Sequence, residues 1–123
     1  MAWEDFLQEK NMFPKNRRVE ISPCFQKEGK PLTWELRAVS EAEYRRALAG
    51  KTEEDPWAVL CVLSVAEPDL QDKGLWESYG TEDAEATLKE MLYPGEYVKL
   101  LEEVKSLNGF QERRRAWREQ AKN

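Results

Sequence analysis

Ten consecutive residues, Trp57-Ala-Val-Leu-Cys-Val-Leu-Ser-Val-Ala66, are apolar on almost every side in a chain of 123 residues that is 35% charged. A segment with no polar face belongs at the centre of whatever folds around it, and this one is far too short to span a bilayer. The residues in front of it favour a helix. Asp55 is a good N-cap, and Pro56 would stand at the first helical position, where its missing N–H costs least. A buried strand stays open for 57–66 because Val and Leu dominate the run. Pro68-Asp69 closes the segment. If Trp57 anchors this centre, its truncation to Ala costs about 3–5 kcal/mol.

Elements on both sides have to wrap this core. Trp3, Phe6 and Leu7 predict a short amphipathic helix over Trp3 to Lys10, a lid that ends before Pro14. Arg18 to Gln26 and Leu32 to Ser40 are rich in β-branched and aromatic residues and flank Lys27-Glu-Gly-Lys-Pro31, which predicts a β-hairpin. Two strands alone are marginal in water, so the hairpin must rest on helices, with Trp34 and Leu36 on its inner face. Ser40-Glu-Ala-Glu43 reads as a capping box that opens a helix ending at Gly50.

Past the apolar run the pattern is one of short helices. Asp72 to Tyr79 places Leu75, Trp76 and Tyr79 inward and stops at Gly80, and Thr81 is the expected cap of a segment with Ala84, Leu88 and Leu92 on one face. Pro94-Gly95 breaks the pattern. Then Tyr97, Leu100, Leu101, Val104 and Leu107 form the cleanest stripe in the chain, closed by Asn108-Gly109 as a left-handed cap. A last helix is predicted over Gln111 to Lys122, with Phe110, Trp117 and Ala121 as its apolar contacts. The expected fold is mainly α (α+β), a small N-terminal β-hairpin packed on a bundle of short helices. It fits one domain over 1–123, with the N-terminal helix and hairpin in 1–39 and the helical part in 40–123.

Charge is distributed unevenly. Residues 1–51 carry ten Lys or Arg against eight Asp or Glu, residues 52–103 three against fourteen, and residues 104–123 six against two. An acidic middle repels phosphate, which argues against nucleic acid as a partner and for protein. Cys24 and Cys61 show neither pairing nor metal-ligand spacing, which fits free thiols in a reducing cytoplasm. The acids at the N-terminus are unlike a signal peptide, so a soluble, unexported protein is expected.

The chain has no histidine, which removes the commonest general base and the Ser-His and Cys-His nucleophile pairs. No glycine-rich phosphate loop occurs. Glu53-Glu54-Asp55 and Glu102-Glu103 read as a helix-opening turn and a solvated face rather than as metal ligands. No cofactor, metal site or catalytic residue is predicted. Two surfaces remain as protein-binding candidates. One gathers Trp76, Tyr79, Tyr93 and Tyr97 beside helix breaks, where aromatics could act as anchors or pin the helices together. The other is Arg113-Arg114-Arg115 with Trp117, which could meet an acidic partner or the acidic middle of the same chain.

The order Pro68-Asp-Leu, Leu75-Trp-Glu-Ser-Tyr-Gly80, Met91-Leu-Tyr-Pro-Gly-Glu-Tyr97, Leu107-Asn-Gly-Phe110 and Ala121-Lys-Asn123 resembles the XkdN-like tail assembly chaperones of phages and prophages. Phe6-Leu7, Val19-Glu-Ile-Ser22 and Gly29-Lys-Pro-Leu-Thr-Trp-Glu-Leu-Arg37 extend the resemblance over the N-terminal half. The resemblance implies a non-enzymatic protein of the host cytoplasm, absent from the mature virion. It would bind the tape measure protein, with the tail tube protein as a second candidate partner, keep the former soluble and promote tube assembly. It further implies that a longer, frameshifted product can exist beside this one. A structural tail or head-tail connector component is the alternative.

Overall fold

The computed structural model describes residues 2–7, 14–51 and 54–110. Five strands and five helices follow a short 3-10 turn, Trp3–Phe6: β1 (Arg17–Val19), β2 (Gln26–Lys27), β3 (Lys30–Pro31), β4 (Trp34–Leu36), α1 (Glu41–Ala49), α2 (Pro56–Ser64), β5 (Val65–Glu67), α3 (Lys73–Ser78), α4 (Ala84–Met91) and α5 (Pro94–Leu107). The architecture is the α+β arrangement that the pattern predicts, with helices dominating and a small antiparallel sheet.

The hairpin is built from two ladders. β1 pairs with β4 in the register Arg17↔Leu36, Arg18↔Glu35 and Val19↔Trp34, and β2 pairs with β3 at the tip. Glu28 and Gly29 both take positive φ (54° and 79°), the combination that a tight two-residue turn needs. Between the ladders Pro23 lacks the N–H that pairing would use, and Ser22 Oγ accepts from Cys24 N–H at 3.1 Å instead. Trp34 and Leu36 are buried, as expected for the inner face.

The apolar run divides. Asp55 accepts from Trp57 N–H at 3.0 Å and Pro56 opens α2, so the predicted start holds. The helix ends at Ser64, and Val65–Glu67 continues directly as β5, paired antiparallel with β4 on the side away from β1. Helix and strand were alternatives for 57–66, and the chain uses both. α2 buries Ala58, Val59, Leu60, Cys61, Val62 and Ser64 and packs against α1, α4, α5 and β5, which makes it the centre of the fold.

Three local expectations are corrected. Among the described residues 2–7 the N-terminus forms a 3-10 turn whose Trp3 and Phe6 are 70% and 64% exposed, so these rings do not make the expected lid on the core, and the rest of the helix predicted over Trp3 to Lys10 lies outside the described residues. The cap of α4 is Asp83, which accepts from Ala86 N–H at 2.7 Å, whereas the Thr81 hydroxyl bonds Trp76 O and the Thr87 hydroxyl. Asp83 wins because it stands next to the first helical residue and its carboxylate favours the helix N-terminus. At α1 the Ser40 hydroxyl accepts from Glu43 N–H as a capping box requires, but the Glu43 carboxylate is bonded to Arg37.

α5 closes as the sequence indicates, with the left-handed conformation carried by Gly109 (φ 89°) and Asn108 at φ −95°. Phe110 then folds edge-on against Trp57, ring centroids 5.1 Å apart, while Lys105 Nζ lies over the Trp57 ring, 4.3 Å from its centroid. Trp57 is half-buried beneath these two side chains. The predicted helix over Gln111 to Lys122 lies outside the described residues.

Candidate protein-binding groove

A groove of about 400 Å³ opens where the hairpin meets the second half of the chain. Phe25, Leu32, Thr33 and Trp34 form one wall, Glu67 and Pro68 lie at its base, and Leu75, Tyr79 and Met91 form the other. Local structure explains why these side chains converge. Leu32 N–H donates to Phe25 O at 2.7 Å, which extends the tip ladder by one pair and sets the two residues opposite each other. The Phe25 and Trp34 rings stand 6.1 Å apart and tilted. On the far wall, Leu75 and Tyr79 are four residues apart around α3 and therefore share a face.

Polar ties hold the hairpin wall to β5 and α5. Arg18 reaches Glu67 at 3.1 Å and Glu35 at 3.5 Å, so one guanidinium bridges β1, β4 and β5. Lys99 Nζ donates to Glu20 O at 2.6 Å, and Arg17 pairs with Glu103 at 2.8 Å, linking the hairpin to α5. Asn108 accepts from Val39 N–H at 2.9 Å through Oδ1 and donates to Ser64 Oγ at 3.1 Å through Nδ2. Arg37 also holds the Glu43 carboxyl below the usual carboxylate range.

The aromatics singled out by sequence take different places. Tyr79 lines the groove. Trp76 is half-buried, and its indole N–H donates to Leu70 O at 2.6 Å, which fastens α3 to the loop before it. Tyr93 stands 68% exposed at the start of α5. Tyr97 packs on the core; its buried hydroxyl has no hydrogen-bond partner among the described residues, and burial pushes it up to about 12. Arg113, Arg114, Arg115 and Trp117 lie outside the described residues. The structure thus brings one of the four described candidates, Tyr79, into the groove. Phe25, Leu32 and Met91 were not picked out, since nothing in the local pattern distinguishes an apolar residue at a groove from one in a core.

One acidic cluster has a metal-like layout among the described residues. Glu54, Asp83 and Glu85 each place a carboxylate oxygen within 4.8 Å of the others. Lys51 Nζ sits there at 2.7 Å from the buried Glu85 carboxylate, and Asp83 is engaged as the α4 cap. The cluster's positive charge therefore comes from the chain itself. Burial raises the Cys61 thiol to about 12, which suits a core residue rather than a nucleophile. No helix among the described residues is long and apolar enough to cross a membrane.

Comparison with known proteins supplies the context that this geometry lacks. A family model described as phage XkdN-like tail assembly chaperone protein matches residues 3–122. The crystal structure of the protein yqbn is similar, with a TM-score of 0.76 and 27% identity over 89% of this chain and 98% of that one. No curated protein matches the chain.

Proposed function

The chain belongs to the phage XkdN-like tail assembly chaperones, and on that premise we propose that it works by binding the tape measure protein, keeping it soluble while tail tube subunits assemble around it. It acts as one domain, by contact rather than by catalysis, in the host cytoplasm, and leaves before the virion is complete. The observation that carries this reading is the apolar groove between Trp34 and Tyr79. A long helical client has apolar stripes that need cover before assembly, and a groove lined by aromatics and a methionine suits such a stripe. Tyr79 is the anchor within it. Trp76, Tyr93 and Tyr97, together with Arg113, Arg114, Arg115 and Trp117, extend the contact surface in this proposal.

The magnitudes suit a chaperone that must let go. Covering a few hundred Å² of apolar surface at about 25 cal/mol per Å² yields roughly 10 kcal/mol, and association itself costs about half or more of that. The net of about 5 kcal/mol or less corresponds to weak, reversible binding with a Kd of about 0.2 mM or higher. Co-expression with the neighbouring tape measure protein tests the proposal: its soluble fraction is expected to rise with this chain present, and an equal insoluble fraction with and without it refutes the reading. Mass spectrometry of purified tails separates the alternative, because a stoichiometric signal in finished particles identifies a structural component.

A further inference from the structure

The groove's surroundings restrict what can fill it. Several of its backbone N–H groups are engaged or absent. Leu32 N–H is bonded to Phe25 O, Tyr79 N–H to Trp76 O, and Pro68 has no N–H to give. Of the edge strand β5 only Glu67 lines the groove, and Leu75 and Met91 belong to helices. A partner strand seeks a row of free donors and acceptors, whereas a helix brings only side chains. These walls offer side chains.

Charge gives the second restriction. From Glu67 to Met91, the stretch that supplies the base and the helical wall, the exposed acids are Glu67, Asp69, Asp72, Glu77, Glu82 and Glu90, against Lys73 and Lys89. Arg18 is shared between Glu67 and Glu35, so it does not neutralise both. The opposite wall ends in a tip with Lys27 and Lys30. The groove is therefore apolar within apart from Glu67, and the stretch that supplies its base and helical side is net acidic while the hairpin tip carries Lys27 and Lys30.

Resting on the chaperone reading above, we propose that the groove takes one face of a partner helix with apolar residues at i and i+3 or i+4, and that Lys or Arg on the flank facing α3 and α4 completes the match. Such a helix buries its apolar positions against Phe25, Leu32, Leu75 and Tyr79 and turns its cations toward the acidic stretch from Glu67 to Met91. The cations speed encounter and fix the orientation, while the apolar contacts supply most of the residence time.

Fluorescence anisotropy on the full chain tests this with two helical peptides of about 18 residues, long enough to be largely helical when stapled. The peptides share their apolar positions and differ in carrying Lys or Glu at the polar ones. The Lys peptide is expected to bind at least about tenfold more tightly at low salt, with the gap closing as salt rises. Leu32→Asp adds negative charge yet removes an apolar contact at the rim, where Leu32 is 42% exposed and the fold tolerates change. It is expected to weaken the Lys peptide about tenfold, and Leu32→Ser to weaken it less but measurably. Tighter binding to Leu32→Asp would mean diffuse adhesion to an acidic surface and overturn the proposal. Equal binding of both peptides, lost in both variants, overturns the basic flank and leaves the groove. Failure of both peptides, with tape measure protein still solubilised, removes the groove and leaves the chaperone reading. Self-association of the wild type that Leu32→Asp abolishes assigns the groove to a second copy and overturns the proposal.

Discussion

Asn108→Ala tests how the hairpin is held against the helices. Asn108 Oδ1 accepts from Val39 N–H at 2.9 Å, while Nδ2 donates to Ser64 Oγ at 3.1 Å and to Val104 O at 2.9 Å. The three bonds are unequal. Val104 O keeps the Asn108 backbone N–H at 3.0 Å after substitution, so its loss is small. Val39 N–H and the fully buried Ser64 hydroxyl keep no such replacement. At about 1 kcal/mol net for each, and more where the abandoned group stays dry, the expected cost is roughly 2–3 kcal/mol. For a chain of this length that lowers the melting midpoint by about 10 °C. Asn108→Asp should cost about half as much, because it keeps the acceptor for Val39 and the Ser64 hydroxyl can turn to donate. Urea melts measure both variants, and a cycle with Ser64→Ala should return a coupling of about 1 kcal/mol. An Asn108→Ala loss below about 0.5 kcal/mol would refute the clamp.

Other perturbations probe separate parts of the same structure. Tyr97→Phe removes a buried hydroxyl that has no partner among the described residues, so it should be neutral or stabilise by up to about 1 kcal/mol; a clear loss in denaturant melts would reveal a partner for that oxygen. A thiol reagent should label the exposed Cys24 in the native protein and reach the buried Cys61 only on unfolding, so rapid native labelling of two thiols would contradict the position of α2. The Glu43 carboxyl is lowered, first by its hydrogen bond from Arg37. Its contribution is therefore complete above the ordinary carboxylate value and disappears as pH falls through the lower folded value. Thermal melts from about pH 7 to about pH 3 should show the wild type's advantage over Glu43→Gln shrinking to nothing at the acid end, and a constant gap would refute the ion pair's role.

The sequence revealed those elements whose ends are chemically marked. Asp55-Pro56 announces α2, Ser40 announces α1, Glu28-Gly29 announces the turn at the hairpin tip, and Gly109 ends α5; each is a residue whose backbone or side chain suits one position far better than its neighbours. β5 had no such mark. Val65 is at once the C-cap of α2 and the first residue of the strand, so the chain changes from helix to strand with no loop, glycine or polar residue to signal it. Only pairing with β4 makes Val65–Glu67 a strand, and that partner lies about thirty residues earlier. The choice of Asp83 over Thr81 was local enough to read, but both residues are good caps and only the exact start of α4 decides between them.

The candidate site was legible in part for a related reason. Periodicity placed Leu75 and Tyr79 on one face of α3 and Trp34 on the inner face of the hairpin, yet it does not say that these faces meet. They meet because β5 joins the hairpin's sheet directly to the central helix, and because Arg18, Lys99 and Asn108 tie the hairpin to elements from the far half of the chain. Those ties add to an apolar seam in which Ile21, Trp34 and Leu36 share one core with Leu60, Leu88 and Leu100, and the exposed ion pairs among them are worth about 1 kcal/mol or less each. Any partner that occupies the groove touches both walls at once, so its binding must stabilise the docking of the hairpin, and loss of a tie such as Asn108 must weaken the partner by the same coupling free energy. Asn108→Ala is therefore expected to weaken a groove-bound partner without changing the groove's lining, and an unchanged affinity would refute this linkage.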